Sequence, residues 1–440
     1  MSPDSSPPTP NENGPTHEFE REPVSKNSLK GANKFWGMYA GEHAAGTEFM
    51  IGPLFLLNGV SLQNIFFGLL LGNLMAVLSW RYICAPIATG ARLTLYYHLE
   101  KIAGDKLVKV YNLANGILFC FLAGAMITVS ATAVGIPFNM TMPGLEDLYP
   151  NSLSFVIIAL AVGAVIAVVA SLGYDTVAKF ANIAVPWMVL VFLACGIISF
   201  KQLGASGWDE LNALWTESIA FARDRQNGGV MGFWSVFLFA WFCNAAMHIG
   251  MSDLSVFRFA KKASYGWASA AGMYIGHYMA WIAAAFMLAA QIKLQQDANP
   301  VPGPMASNAA GLAFQAIIPQ ASRSRVTLVA GLIATLASIF PAFAWKLLGF
   351  VGIYGTILAP IGAIIYFDWH VRCKGNADTL HQTVPASPFN MAVLFAWLLP
   401  VGVALYFIQA VGIAPWYFPL PCWIATGLLY IAFNRKTANA

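Results

Sequence analysis

The sequence predicts an all-α polytopic membrane protein, and three observations lead to this prediction. Hydrophobic residues make up 58% of the 440 residues and charged residues only 10%, whereas soluble domains carry about 25% charged residues. The mean hydropathy is +0.62. Apolar runs of the length that spans a bilayer, roughly 17–25 residues, follow one another along most of the chain. The lipid bilayer is therefore an expected partner, and the net charge of +4 is too small to predict binding to nucleic acid.

The apolar runs predict eleven transmembrane helices, most of them joined by short loops. Lys26, Lys30 and Lys34 precede the first run, so the positive-inside rule places the N-terminus in the cytoplasm. The loop at 138–151 has no Lys or Arg, as expected on the outside. The predicted spans are 35–58, 62–85, 112–137, 152–172, 177–200, 231–257, 264–291, 326–344, 346–368, 389–411 and 414–434.

Two segments outside the spans have their own predicted character. Residues 1–34 are rich in Pro, Ser, Asn and Glu and lack an apolar stretch, which predicts a disordered cytoplasmic tail rather than a signal peptide. Residues 201–230 form a longer external segment with the pattern of an amphipathic helix at the membrane surface. The expected location is the plasma (inner) membrane, as a multi-pass protein.

The charge pattern requires one crossing that the apolar runs do not fully supply. The loop at 292–304 is expected outside, whereas Arg323 and Arg325 indicate a cytoplasmic loop. Only residues 305–319 lie between them, and their roughly 15 residues would cover about 22 Å of a hydrocarbon core about 30 Å thick. This crossing is therefore predicted to be missing or short.

The first predicted span contains Glu42, His43 and Glu48 in an otherwise apolar run. A charged residue at the centre of a membrane helix costs on the order of 2.5–3.5 kcal/mol. The small residues at 44–46 allow the helix to unwind, and unwound backbone is tolerated where it lines an enclosed cavity. The pattern predicts a helix broken at 44–49 that builds a binding site. The alternative is an ordinary span whose polar residues pair with neighbouring helices.

Short motifs occur in a characteristic order between about 35 and 370. They are Leu71-Gly72-Asn73-Leu74 in the second span, Gly173-Tyr174-Asp175 and Ile183-Ala184-Val185-Pro186 in the fifth, Arg258-Phe259-Ala260-Lys261 after the sixth, and Gly352-Ile353-Tyr354-Gly355 with Pro360 and Asp368 in a tenth-type span. In this order and spacing the chain resembles the nucleobase–cation symporter family, which includes cytosine permeases and hydantoin transporters.

The resemblance implies a LeuT-type fold of two inverted five-helix repeats followed by two accessory helices. Family members have twelve spans, so this chain, with about eleven, lacks the eighth or keeps only 305–319 of it. The interruption at Ala245–Gly250 in the sixth span occupies the position of a counterpart to the first-span break. The implied organisation is a first repeat at 35–200, a second repeat at 231–368 and accessory spans at 389–434.

The resemblance also implies which residues meet the substrate and the ion. Backbone groups at Ala44, Ala45 and Thr47 would hold Na⁺; the coupling ion is Na⁺ or H⁺, and no other cofactor is expected. Ala123 and Met126 replace the third-span aromatic and glutamine of cytosine permeases, so other aromatic rings are needed for stacking. The implied substrate-binding residues are Gly46, Thr47, Glu48, Phe49, Trp241, Phe242, Asn244 and His248.

The remaining polar residues have structural alternatives. Glu42 and His43 lie nearer the cytoplasmic end than Glu48, and His277 is a lone histidine of the kind that also serves in packing. Asp253 is so close to the basic cluster after the sixth span that an ion pair with Arg258 or Lys262 is expected.

The sequence contains no catalytic motif such as HExxH, GxSxG or a phosphate-binding loop. The resemblance therefore implies a transporter rather than an enzyme: a cation-coupled symporter that imports a nucleobase or a related nitrogen heterocycle. The short eighth crossing supports a second hypothesis, a variant that binds such a substrate without coupled transport. An intramembrane enzyme or a channel is the third.

Overall fold

The computed structural model describes residues 19–43, 48–135, 138–143, 147–172, 174–223, 230–293, 323–341, 347–385 and 387–434. Across these ranges the regular structure is helical, with one isolated bridge between Lys30 and Ala260. The predicted all-α architecture is confirmed. Residues 305–319, on which the eighth crossing depends, lie outside the described ranges.

The first half of the chain contains eight helices within the described ranges. They are α1 (Asn33–His43), α2 (Glu48–Leu57), α3 (Leu62–Ala91), α4 (Leu95–Ala103), α5 (Asp105–Gly135), α6 (Leu153–Ser171), α7 (Tyr174–Leu203) and α8 (Trp208–Arg223). Polar caps set several of their starts, because an N-cap side chain accepts from a backbone N–H of the first turn. The Ser61, Thr94 and Ser152 hydroxyls do this for α3, α4 and α6.

The second half follows the same pattern. Its described helices are α9 (Phe233–Phe242), α10 (Ala245–His248), α11 (Leu254–Phe257), α12 (Ala263–Lys293), α13 (Arg323–Ala337), α14 (Leu347–Phe367), α15 (Ala377–Gln382), α16 (Met391–Tyr406) and α17 (Pro419–Asn434). In the described part of the chain, seven helices are long and apolar enough to cross a membrane: α3, α5, α6, α7, α12, α14 and α16.

The sixth predicted span is built from short pieces instead of one long helix, and the first contains two described helices. The span predicted at 35–58 consists of α1 and α2, on either side of residues 44–47, which lie outside the described ranges. In the predicted span 231–257, α9 ends at Phe242 and α10 covers only Ala245–His248. The expected break at Ala245–Gly250 is thus displaced, because Ala245–His248 form a helical turn with non-helical backbone before and after it.

Helix α1 lies in close contact with α12, through two glycines. A Cβ atom on Gly276 would lie 2.4 Å from the His43 carbonyl oxygen, and one on Gly272 would lie 2.7 Å from the Tyr39 carbonyl oxygen. Small residues let membrane helices approach to backbone contact. Around these glycines, from Ala271 to Met279, α12 adopts the wider π-helical turn, a feature frequent at functional sites.

Part of the segment expected to be a disordered tail is packed against the helices. Val24 is fully buried and its amide donates to the Arg92 carbonyl at 3.0 Å, and the Arg21 guanidinium pairs with Glu100. The Lys30 amide donates to the Phe259 carbonyl at 2.6 Å. Residues 19–32 therefore contact both the loop after α3 and the loop after α11, which composition alone did not predict.

The predicted amphipathic helix of segment 201–230 is present as α8. Its apolar side is buried through Leu211 and Trp215, and the Trp215 indole N–H donates to the Val60 carbonyl at 2.8 Å. At its start the Ser206 hydroxyl and amide donate to the Glu210 carboxylate at 2.6 and 2.8 Å. These bonds lower the pKa of Glu210.

Helix α17 is joined to the π-helical turn that follows α14, Asp368–Arg372, by a buried carboxylate. Asp368 accepts two bonds from the Arg372 guanidinium, at 2.6 and 2.7 Å, and one from the Tyr430 hydroxyl at 2.6 Å. A fully buried carboxylate needs partners of this kind to offset its lost hydration. The family-like motif that ends in Asp368 therefore has a structural role in this chain.

Candidate functional site

The first and sixth predicted spans are connected through Asp253, in the turn that follows α10. Its Oδ2 accepts a 2.7 Å hydrogen bond from the Tyr39 hydroxyl of α1 and a 2.5 Å bond from the Trp80 indole N–H of α3. Asp253 is 5% exposed. The expected ion pair with Arg258 or Lys262 is replaced by these two neutral donors.

Arg258 has other partners, which explains the difference. Its Nε donates to the Ser255 carbonyl at 3.1 Å and one of its terminal nitrogens donates to the Phe19 carbonyl at 2.5 Å. Because Arg258 follows α11 and Asp253 precedes it, the two side chains meet different surroundings. The carboxylate instead points to the first and second spans.

Three buried histidines from three spans lie close together beside Asp253. His43 ends α1, His248 ends α10 and His277 lies in the π-helical part of α12; they are 2%, 0% and 3% exposed. The His43 ring centroid is 4.9 Å from that of His277 and 6.0 Å from that of Trp80. The Trp80 ring is in turn 4.7 Å from His248. We call His43, His248 and His277 the histidine group.

Each ring of the histidine group makes one hydrogen bond. His43 Nδ1 donates to the Tyr39 carbonyl and His248 Nε2 to the Trp241 carbonyl, both at 2.9 Å. The Asn244 amide lies 3.5 Å from His277 Nε2. The second nitrogen of each ring has no hydrogen-bond partner among the residues that the structure describes. Buried polar atoms are normally paired, so these three nitrogens are candidate positions for contact with a polar ligand.

Glu48 lies in the first turn of α2, where the partial positive charge of a helix N-terminus favours a carboxylate. It is 4% exposed and accepts a hydrogen bond from the Trp281 indole N–H. The Trp281 ring is stacked on His277, with centroids 4.1 Å apart. Glu48 is therefore linked to the histidine group through one aromatic ring, whereas Glu42 is half-buried on α1.

The two aromatic residues expected to stack on a substrate are engaged in helix packing. Trp241 and Phe242 stack on each other with centroids 4.5 Å apart, and the Trp241 indole N–H donates to the Ser79 hydroxyl at 3.0 Å. Phe242 belongs to an apolar cluster with Ala359 and Trp423. Among the described residues, no ring contact joins Trp241 or Phe242 to the histidine group.

Several expected site residues are not described. Ala44, Ala45, Gly46 and Thr47, which include the expected Na⁺ ligands, lie outside the described ranges, and so does the side chain of Phe49. In the third span, Ala123 and Met126 are buried, and Ala123 packs against Ala334 of α13. The described part of the candidate site is thus formed by Asn244, Glu48, Asp253 and the histidine group, together with the aromatic side chains around them.

The sequence did not indicate three aromatic residues of the site, and it indicated His277 only as a secondary candidate. Tyr39, Trp80 and Trp281 each donate a hydrogen bond to a buried carboxylate. In an apolar run, an aromatic residue that packs is indistinguishable from one that also donates. His277 was only a secondary candidate, and the signal that favoured it was Gly276 beside it, where α1 comes close.

The chain is similar to solved structures of transporters. Mhp1, a nucleobase-cation-symport-1 family transporter in a closed conformation with bromovinylhydantoin bound, matches with a TM-score of 0.62 at 15% identity, covering 97% of this chain and 96% of that chain. The inward facing conformation of Mhp1 matches with a TM-score of 0.66 at 15% identity, covering 99% and 95%. A substrate-bound, outward-open Na⁺-coupled sialic acid symporter matches with a TM-score of 0.56 at 11% identity, covering 91% and 90%.

No protein-family model and no curated protein matches the sequence. The structural matches cover almost the whole chain and show the fold. This chain is a polytopic membrane protein with the LeuT-type fold of secondary transporters, as the resemblance implied.

Proposed function

We propose that the protein is a secondary active transporter, a cation-coupled symporter that imports a nucleobase or a related nitrogen heterocycle. The observation that carries the proposal is the meeting of the first and sixth predicted spans at a buried polar site in a chain with the fold of known symporters. In such folds, substrate and ion sites lie near the bilayer midplane at the interface between repeats.

Alternating access would move the two repeats around this site. The similar structures include closed, inward-facing and outward-open conformations. Here the hydrogen bond between Tyr39 and Asp253 joins the first span to the turn after α10. A movement of one of these two segments is therefore transmitted to the other. The site is nearly closed to solvent, since His43, Glu48 and His277 are each less than 5% exposed.

The chemistry of the site suits a small, uncharged, planar ligand with hydrogen-bonding groups. The unpaired nitrogens of the histidine group supply polar contacts, and Trp80 and Trp281 supply flat apolar surfaces next to them. Mhp1 binds a hydantoin derivative, a ring of this kind. The proposed substrate-binding residues remain Gly46, Thr47, Glu48, Phe49, Trp241, Phe242, Asn244 and His248, to which the geometry adds His43 and His277.

The proposed coupling ion is Na⁺ or H⁺. Backbone groups of Ala44, Ala45 and Thr47 are the proposed Na⁺ ligands, by resemblance. The sialic acid symporter with the same fold is Na⁺-coupled. The proposed setting is the plasma membrane, with a cytoplasmic N-terminus.

Uptake into proteoliposomes tests this proposal. Radiolabelled purines, pyrimidines and hydantoins are offered with an inward Na⁺ gradient, an inward H⁺ gradient, or neither. Accumulation that requires one gradient supports a symporter and identifies the ion. Glu217→Gln, on the exposed side of α8, is the matched control for Glu48→Gln. Binding without uptake under every gradient would contradict transport and favour a variant that binds without coupling.

A further inference from the structure

The protonation pattern of the histidine group follows from its hydrogen bonds. A carbonyl oxygen only accepts, so a ring nitrogen that faces a carbonyl carries the proton. His43 Nδ1 faces the Tyr39 carbonyl and His248 Nε2 faces the Trp241 carbonyl, each at 2.9 Å. In a neutral imidazole the second nitrogen then carries a lone pair. His43 Nε2 and His248 Nδ1 are therefore acceptors.

The neutral form is the one that these surroundings favour. Removing a charged imidazole from water is costly unless an anion pairs with it. Among the described residues no carboxylate is hydrogen-bonded to a ring of the histidine group, since Asp253 bonds Tyr39 and Trp80 and Glu48 bonds Trp281.

The unpaired nitrogen of His277 is a hydrogen-bond donor, unlike those of His43 and His248. The Asn244 amide nitrogen is a donor, and it lies 3.5 Å from His277 Nε2. Nε2 is therefore the acceptor, and Nδ1 carries the proton without an acceptor among the described residues. The histidine group thus holds two unused acceptors and one unused donor, all buried.

We propose that the histidine group determines ligand specificity by matching these three positions. His43 Nε2 and His248 Nδ1 accept hydrogen bonds from two ligand N–H groups, and His277 Nδ1 donates to a ligand carbonyl oxygen. This inference rests on the proposed function and narrows the ligand to neutral lactam, imide or ureide rings. A carboxylate ligand is disfavoured, because it would place negative charge against two lone pairs.

Substituting both asparagine and glutamine at His43 and at His248 separates a ligand role from a structural role. An asparagine amide lies about where histidine has Nδ1, and a glutamine amide about where it has Nε2. His43→Asn keeps the bond to the Tyr39 carbonyl and removes the unused acceptor, whereas His43→Gln does the reverse. For His248 the pattern inverts: Gln keeps the bond to the Trp241 carbonyl, and Asn keeps an acceptor near Nδ1.

The measurement is equilibrium binding of radiolabelled uracil or hydantoin, whichever binds the wild-type protein more tightly, to the purified full-length chain. We expect His43→Asn and His248→Gln to weaken binding about tenfold, the size of one lost hydrogen bond to a buried group. His43→Gln and His248→Asn should stay close to wild type. His370→Gln is the control, because His370 is exposed in the turn that follows α14. Thermal unfolding of each variant shows whether it is folded.

Analogues of the probe give a second readout. Methylating one ring N–H should weaken binding to the wild-type protein about tenfold, and this loss should shrink in the variant that lacks the matching acceptor. The ligand role would be overturned if His43→Asn and His248→Gln kept wild-type affinity for the probe while His43→Gln and His248→Asn lost it. Wild-type affinity in all four variants would also overturn it. If the wild-type protein binds no N–H compound at all, the proposed function fails together with this inference.

Discussion

The Tyr39 hydroxyl and the Asp253 carboxylate lie 2.7 Å apart, 214 positions apart in the chain. Their hydrogen bond joins α1 to the turn after α10. Trp80 donates to the same carboxylate oxygen. The first and sixth predicted spans are therefore connected at one buried acidic residue.

Tyr39→Phe removes this link while keeping the ring. We expect a loss of about 1–3 kcal/mol in stability, because the buried carboxylate loses one of its two donors. The midpoint of thermal unfolding in detergent measures the effect. Tyr82→Phe is the control, since Tyr82 is 59% exposed; equal midpoints for the two variants would show that the link does not stabilise the fold.

Glu48→Gln should lower binding and transport much more than Glu42→Gln. Glu48 is 4% exposed in the first turn of α2 and bonded to Trp281, whereas Glu42 is half-buried on α1. The amide loses the favourable interaction of a negative charge with the helix N-terminus. Equal and small effects on substrate affinity would mean that neither carboxylate serves the ligand site.

Gly276→Ala should disturb the site through the backbone. The added Cβ would lie 2.4 Å from the His43 carbonyl oxygen, so α1 must move, at a cost of roughly 1–3 kcal/mol. Reduced substrate affinity and a lower unfolding midpoint are expected. Gly402→Ala is the control, because a Cβ there meets no atom within 4 Å; an unchanged Gly276→Ala protein would contradict the close approach of α1 to α12.

Val24→Asp tests whether the N-terminal segment is packed. Val24 is fully buried, and a charged side chain there would lose several kcal/mol of hydration. The segment should be released, and trypsin should cut faster after Arg21 and Lys26. Val384→Asp, at a side chain 83% exposed, is the comparison. Fast cleavage of the wild-type protein at the same sites would instead support the disordered tail that composition predicts.

The sequence predicted the features that depend on local pattern. Apolar run length predicted the all-helical architecture, and the polar residues between small ones located the interruption of the sixth span; the predicted first-span break stays a prediction, because residues 44–47 lie outside the described ranges. The exact limits of the sixth-span interruption were not predictable, because Ala245–His248 forms a turn of helix where the same small residues indicated a break.

The contacts that build the site were beyond sequence analysis because they join distant positions. Trp281 and Glu48 are 233 positions apart, and Trp80 and Asp253 are 173 apart. An aspartate near basic residues predicts an ion pair, yet two neutral donors are its partners here. Similarly, the polar composition of residues 19–32 predicts disorder, while Val24 and Arg21 have distant partners, Arg92 and Glu100.

Solute counterflow tests the central claim, transport, most directly, because it needs no coupling gradient. Proteoliposomes are loaded with excess unlabelled uracil or hydantoin and diluted into a trace of the labelled compound. We predict a transient overshoot of internal label for the wild-type protein and for Glu217→Gln, and a strongly reduced overshoot for Glu48→Gln. The absence of an overshoot in wild-type proteoliposomes with every nitrogen heterocycle would contradict the account.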